Sequence, residues 1–293
     1  MFTGEGDIEN KKGKRLVQVI TERELISCQY AYAKKTMVFE DEYLVVYCES
    51  KIKKGSLLYM SGLPRKLTKT DKDLVNVFSR NVQVAFDNVL LNRDIEDTQR
   101  EIIECIADTL EANFGSENHS KRMIKICEVL GGAAGLPKKE IKTLCLAVPI
   151  HEIGKIRILD DFLLNAGNLN KEEMLKVRYQ ADIGFNLLKG SDRPLIKVAA
   201  MITRDHNEYW DGNGYPKGKS GEEIHIFCRI TNIANAFDTM RSKGNCKEAW
   251  PLKKVMEVMA AEKGHQFDPK IVEILQENIG EIETIIQGFP SES

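Results

Sequence analysis

Residues 205–216 read Asp205-His206-Asn207-Glu208-Tyr209-Trp210-Asp211-Gly212-Asn213-Gly214-Tyr215-Pro216. The second half of this stretch is a loop, because Gly and Asn permit positive φ and Pro fixes the exit. On either side the sequence turns helical. Apolar spacings of three and four predict helices near 171–188 and 192–204 upstream, and near 222–240, 251–262 and 269–286 downstream. Farther upstream, His119, Met123, Ile126 and Leu130 share one helical face. Ile141, Leu144, Val148 and His151 share another, with Pro149 expected to kink that helix. Residues 113–293 therefore read as an all-α domain.

Working further outward, residues 71–112 carry a narrow apolar stripe, from Leu74 and Phe78 through Leu91, Ile95 and Ile102 to Leu110, without Gly or Pro. Thr70-Asp71 supplies an N-cap, and polar flanks such as Asn92-Arg93-Asp94 border the stripe. A long helix of this kind packs on a partner helix, and coiled-coil seams have this width, so a homodimer is expected. Packing within the same chain is the alternative. Residues 1–70 read as a small α/β segment. Glu22–Ala33 has helical periodicity, Thr36–Cys48 contains two strand-like runs separated by acids, and Ser56–Met60 is a third run before Ser61-Gly62-Leu63-Pro64. Three strands are few for an independent sheet, so this segment is expected to be part of a domain. The fold class is mainly α: a small α/β segment, a long linker helix, and a helical domain.

The 293 residues are 42% hydrophobic and 29% charged, with 44 acids against 42 bases and a net charge of −2. Such a balance gives no global field to recruit DNA, RNA or an anionic membrane. The seven cysteines are scattered, odd in number and free of any CxxC pair, which argues against a disulfide framework or a thiolate zinc knuckle. The opening MFTGEGDIENKKGKR lacks the apolar core of a signal peptide. No apolar run approaches the ~20 residues a membrane span needs. A cytoplasmic location is expected.

Three histidines sit on helical stretches beside polar residues: His119, His151 within HEIGK, and His206. Each alone reads more readily as a satisfied core residue than as a ligand. Together they mean more, since helical bundles build metal sites from histidines on separate helices.

HEIGK followed by IRILDDFLLNAGNLNKEE, then DHNEYWDGNGYPKGKSGEEIHIFCRI and IANAFDTM, resembles the HD-GYP domain in order from about residue 100 to 290, and DGNGYP is a highly specific signature of it. The helix before it is similar to the one that follows a GAF-like domain between receiver and HD-GYP modules. On that resemblance the chain begins partway into a GAF-like domain and has no receiver. The family hydrolyses cyclic di-GMP with two or three metal ions. Carried over by position, His119, His151 and His206 match ligand histidines, Lys155 matches the lysine facing phosphate or water, and Asp238, Gly214, Tyr215, Pro216 and Lys247 also match. In the family the loop residues shape the substrate pocket and the surface offered to GGDEF-type partners, so Gly214, Tyr215, Pro216 and Lys247 are expected to serve ligand binding or docking.

Several family ligands are replaced. Gly115 stands where a Glu is expected, Glu152 where the family has its eponymous Asp, Gln180 and Asn207 where it has His, Asn235 where it has Asp, and Gly244 where it has a phosphate-binding Arg. Transition metals in N/O sites favour imidazole and carboxylate over neutral amides. Two dications about 4 Å apart repel by roughly 16 kcal/mol at an effective dielectric of 20, which the family offsets with carboxylates. Only Glu152 of these remains. A two-metal centre is not expected. The preferred expectation is a metal-free pocket in which Asn207, Asn235 and Gln180 hydrogen-bond the histidines. A single Fe, Mn or Zn on His119, His151, Glu152 and His206 is the alternative. The chain is thus expected to be a non-catalytic signalling protein that binds partners and cyclic di-GMP. A weak mononuclear phosphodiesterase, with Lys155 orienting phosphate, is the other reading.

Overall fold

The computed structural model describes residues 18–50, 55–114, 116–157, 171–243 and 248–290, with side chains from 178 onward in the fourth segment. The chain divides into two compact units at Thr98/Gln99.

In the first unit, α1 (Glu22–Lys34) begins at a capping box: Thr21 Oγ1 accepts from the Glu24 amide, and the Glu24 carboxylate accepts from the Thr21 amide at 2.6 Å. Strands β1 (Met37–Phe39), β2 (Tyr43–Cys48) and β3 (Ser56–Ser61) form an antiparallel meander, with Val38 opposite Val45 and Val45 opposite Tyr59. Successive side chains of a strand point to opposite faces, and β2 is covered on both. Tyr43 and Val45 pack with Cys28 and Ala31 of α1. Leu44, Val46 and Cys48 pack with Leu63, Leu67 and Val75. Val75 belongs to α2 (Lys69–Phe114), a helix of 46 residues. This helix starts two residues before the expected Thr70-Asp71 cap, because Thr68 and Asp71 cap each other: the Thr68 amide and hydroxyl donate to Asp71 at 2.8 and 2.6 Å.

The second unit is helical. Its core is built on α3 (His119–Ala133) and α7 (Ile226–Arg241), with Met123, Ile126 and Leu130 of the first packed against the cluster that holds Ile230, Ile233 and Phe237 of the second. Around them lie α4 (Lys138–Ala147), α5 (Lys171–Leu188), α6 (Pro194–Asp205), α8 (Leu252–Ala261), α9 (Pro269–Glu277) and α10 (Ile279–Gly288). The helix expected over 269–286 is two helices. Asn278 ends the first by donating its side-chain amide to the Ile274 carbonyl at 2.8 Å, a local bond that competes with helical continuation. Pro149 does more than kink α4. With no N–H to offer, it ends the helix at Ala147 and enters a 3₁₀ turn, Val148–Ile150, that places His151 beyond the helix rather than on it.

A second 3₁₀ turn, Ile153–Arg157, brings Gly154 against α5. A Cβ on Gly154 would lie 1.9 Å from the Gln180 carbonyl oxygen, and one on Gly184 would lie 2.3 Å from Thr203 Cγ2. The close approach fixes the HEIGK turn. Gly154→Ala is expected to destabilise the protein by about 1–3 kcal/mol, the range for overpacking a tight site. Gly132 of α3 has nothing within 4 Å of its would-be Cβ. Gly132→Ala, the paired control, is expected to be neutral or to stabilise by up to about 1 kcal/mol. Urea midpoints on the two variants check both.

Candidate metal centre

Each of the three histidines comes from a different place in the helical unit. His119 opens α3, His151 caps the turn after α4, and His206 caps α6. All three are buried, at 7%, 1% and 2% exposure. Their rings gather, with centroids 5.4 Å apart for His119 and His151 and 5.1 Å for His151 and His206.

Each ring is oriented the same way. Nδ1 of His151 lies 2.8 Å from the Val148 carbonyl and Nδ1 of His206 lies 2.9 Å from the Ile202 carbonyl. A carbonyl only accepts, so both Nδ1 atoms carry the proton and both Nε2 atoms keep a lone pair. His119 places Nδ1 2.7 Å from Asp238 Oδ2, the carboxylate–histidine arrangement that points Nε2 toward a metal. Burial lowers the His151 pKa to about 3, so its imidazole is neutral and ready to ligate. Burial also lowers His206. For His119 burial works in the same direction, but the Asp238 carboxylate outweighs it and raises the pKa.

The Nε2 atoms of His119 and His151 are buried without a hydrogen-bond partner among the described residues. This is the main difference from the metal-free amide network expected from sequence. Asn207 does reach a histidine, its Nδ2 donating to His206 Nε2 at 2.9 Å. Gln180 instead hydrogen-bonds the Tyr215 hydroxyl, and its own Oε1 is unpartnered. Asn235 lies 3.4 Å from the Thr239 hydroxyl, one turn along its own helix. Orphaned buried nitrogens are rare and costly. Ligand atoms of His119, His151 and Glu152 fall within 4.8 Å of one another. Beside them is a cavity of about 10 Å³ lined by these three residues, Glu111 and Phe114, about the room one water or one ion takes. The residues fit a single metal ion. His206 stands next to this set with its Nε2 already taken by Asn207.

Glu152 is shared. Lys155 Nζ lies 2.5 Å from its Oε1 and 5.6 Å above the Phe114 ring. Burial disfavours the charged carboxylate, but Lys155 and the histidines outweigh it and hold Glu152 well below the usual carboxylate range. Lys155 thus neutralises the carboxylate a metal would use.

Three residues that were not singled out from sequence hold the site together. Arg122, 1% exposed, donates from Nε and Nη2 to Asp238 at 2.6 and 3.1 Å and from Nη1 to the carbonyls of Glu117 and Phe289. Glu111 accepts from the Ser120 amide at 2.5 Å, capping α3 where Asn118, at φ 58°, makes no side-chain cap. Glu208, 2% exposed, accepts from the Lys217 and Lys219 amides at 2.6 and 3.1 Å. Arg122 was legible, since it follows His119 by three residues and so shares its helical face.

The Asp211–Pro216 loop is fastened locally. Asp211 accepts from the Asn213 amide at 2.9 Å, the Tyr215 amide donates to the Asn207 carbonyl at 3.1 Å, and Tyr215-Pro216 is a cis peptide. Gly214 backs so closely onto the chain that a Cβ would lie 2.2 Å from the Tyr209 nitrogen. The Arg178 guanidinium lies 5.2 Å over the Tyr215 ring, and burial raises the Tyr215 pKa to about 12, so its hydroxyl stays protonated. Of the other expected site positions, Gly115, Gly244 and Lys247 lie outside the described residues. Among the described residues no helix is long and apolar enough to cross a membrane.

Residues 102–271 match the HD domain family, and residues 1–95, expected to hold a partial GAF-like segment, match a domain of unknown function (DUF3369). The chain is 34% identical over 236 residues to a 3′3′-cGAMP-specific phosphodiesterase 2 of Vibrio cholerae, covering 80% of this chain and 45% of that protein. It is 33% identical over 201 residues to the cyclic di-GMP phosphodiesterase response regulator RpfG of Xanthomonas campestris, covering 68% of this chain and 53% of the relative. A cyclic di-GMP phosphodiesterase of Thermotoga maritima is 29% identical over 216 residues, covering 73% and 55%. The chain spans about half the length of these curated relatives. With helices that gather His119, His151 and His206, and with these matches, the chain belongs to the HD domain family and is homologous to its HD-GYP cyclic di-GMP and cGAMP phosphodiesterases.

Proposed function

We propose that the helical unit is a cyclic-dinucleotide signalling module that holds one transition-metal ion on His119, His151 and Glu152 and does not hydrolyse phosphodiesters. The observation that carries this reading is the fate of the carboxylates around the histidines. Asp238 is bound by Arg122 and His119, and Asp205 by Arg204 and Lys219 at 2.6 and 2.7 Å. Asn235 is neutral. Among the described residues Glu152 is the carboxylate of the three-residue cluster, and Glu111, which lines the cavity beside it, is engaged by the Ser120 amide. One ion is supportable, and a second about 4 Å away is not.

A bound ion of this kind polarises a phosphoryl oxygen and acidifies bound water. This chain's own residues supply orientation: three ring tautomers fixed by carbonyls and Asp238, and an ammonium at Lys155 within reach of an anionic ligand. Lys155 is held by Glu152, so recruiting it to phosphate costs that ion pair. Weak mononuclear hydrolysis is the competing reading, and the two orphaned Nε2 atoms favour it to the extent that they favour metal.

The test is incubation of metal-replete protein with cyclic di-GMP and with 3′3′-cGAMP, followed by chromatography for linear products and by calorimetry for binding. Binding without turnover is expected. Turnover lost in His151→Ala would overturn the non-catalytic assignment. Asn235→Asp alone is expected to leave hydrolysis undetectable, because the restored carboxylate still lacks the histidines that Gln180 and Asn207 replace.

A further inference from the structure

Helix α2 carries a second pattern that the chemistry of the pocket does not use. Counted from Leu74 as position a, its sequence runs through five heptads to Asp108. The a and d positions include Val84, Leu91, Ile95 and Ile102, which are 59%, 45%, 46% and 56% exposed. The residues α2 buries within each unit, Ser79 in one and Ile103, Ala107, Leu110 and Glu111 in the other, fall outside this set. A row of aliphatic side chains at 3.5-residue spacing left in water is a seam without its partner.

We infer that α2 pairs with α2 of a second copy of this chain as a parallel, in-register, two-stranded coiled coil. Two features name the partner as the same helix. Asn81 and Asn88 occupy consecutive a positions. Buried asparagine at a pairs with itself across a parallel dimer and specifies both register and strand number, at a cost in stability. The charges agree. Asp94, Glu101 and Asp108 all sit at g, so an antiparallel pair would set acids against acids along one flank. In the parallel pair g meets e of the next heptad, and Asp94 faces Gln99 while Glu101 faces Ile106. No like charges oppose each other there. The arrangement brings the two Cys105 residues, exposed and at d, face to face.

That juxtaposition supplies the test on the full chain. Sedimentation gives the oligomeric state, and mild copper–phenanthroline oxidation in a Cys246→Ser background reports on Cys105. The other five cysteines are buried or half-buried. The expected result is a dimer that crosslinks through Cys105, with no crosslink in Cys105→Ser. Leu91→Glu with Ile95→Glu places four carboxylates in the seam of a dimer and is expected to weaken association by roughly 100-fold while leaving the far-ultraviolet spectrum unchanged. A monomer at tens of micromolar overturns the inference. So does a dimer indifferent to Leu91→Glu/Ile95→Glu, or one that depends on them without crosslinking at Cys105, which would be an antiparallel or shifted pair.

Discussion

Protein expressed with added iron, manganese and zinc is expected to carry about one transition-metal ion per chain, and His151→Ala to carry essentially none, by inductively coupled plasma mass spectrometry. The direction follows from the lone pairs. His151 is a neutral imidazole with its proton fixed on Nδ1 by the Val148 carbonyl, so its Nε2 is an acceptor with no donor to meet it. His119 Nε2 is also buried without a partner; burial opposes its charged form but the Asp238 carboxylate outweighs it and raises the pKa, so ligation there displaces a proton. A water in the cavity of about 10 Å³ satisfies these atoms weakly, whereas a cation satisfies both and draws in Glu152 at the expense of Lys155. Loss of one of three ligands removes a large share of the binding energy, because even an outer-shell partner is worth 10–100-fold in affinity. His265→Ala is the control: that residue is exposed, its nearest acid is Asp211 at 3.7 Å, and its loss is expected to leave metal content unchanged. Two ions per chain in the unmutated protein would refute the argument that one carboxylate cannot support a pair.

Arg122→Leu is expected to cost about 3–5 kcal/mol of stability, the range for removing one partner of a buried ion pair. Arg122 is 1% exposed and makes four hydrogen bonds, two to Asp238 and two to backbone carbonyls. Its loss leaves a buried carboxylate facing His119 and, at 3.4 Å, the Ser242 hydroxyl, with no other positive charge among its described hydrogen-bond partners. Arg122→Lys should recover little, because a single ammonium cannot reproduce the planar fork that serves a carboxylate and two carbonyls at once. Arg122→Leu with Asp238→Asn should cost less than the sum of the single changes, since the uncompensated charge is then removed. Urea denaturation of the four variants measures this. The same variants separate stability from ligation: Asp238→Asn loosens the tautomer of His119 and is expected to lower metal occupancy as well, whereas a change confined to the fold would leave occupancy intact in the folded fraction.

Much of the fold was legible because helices announce themselves by spacing. The helices expected at 171–188 and 251–262, the three strands and the long α2 follow from periodicity alone. Where the spacing misled, a local bond had overridden it. The Asn278 amide splits one expected helix into two, and Pro149 ends α4 rather than bending it. Glu208 shows the limit from the other side. Its carboxylate fastens the loop through two backbone amides nine and eleven residues on, and nothing in a one-dimensional pattern distinguishes such an acid from a solvated one.

Sequence by itself determined the helical architecture, the presence of three histidines in a family pattern, and the neutral amides at Gln180, Asn207 and Asn235. Those are matters of residue type and order, which local propensity and position express directly. Only the tertiary structure decided how the remaining groups divide the work. Asp238 is taken by Arg122, Glu152 by Lys155, and His206 by Asn207, while His119 and His151 are left with bare Nε2 atoms. Hydrogen-bond partners are chosen by distance and direction across segments that meet only in the folded state, 119 residues apart for His119 and Asp238 and 167 for Arg122 and Phe289. The sequence can list donors and acceptors, but packing alone pairs them.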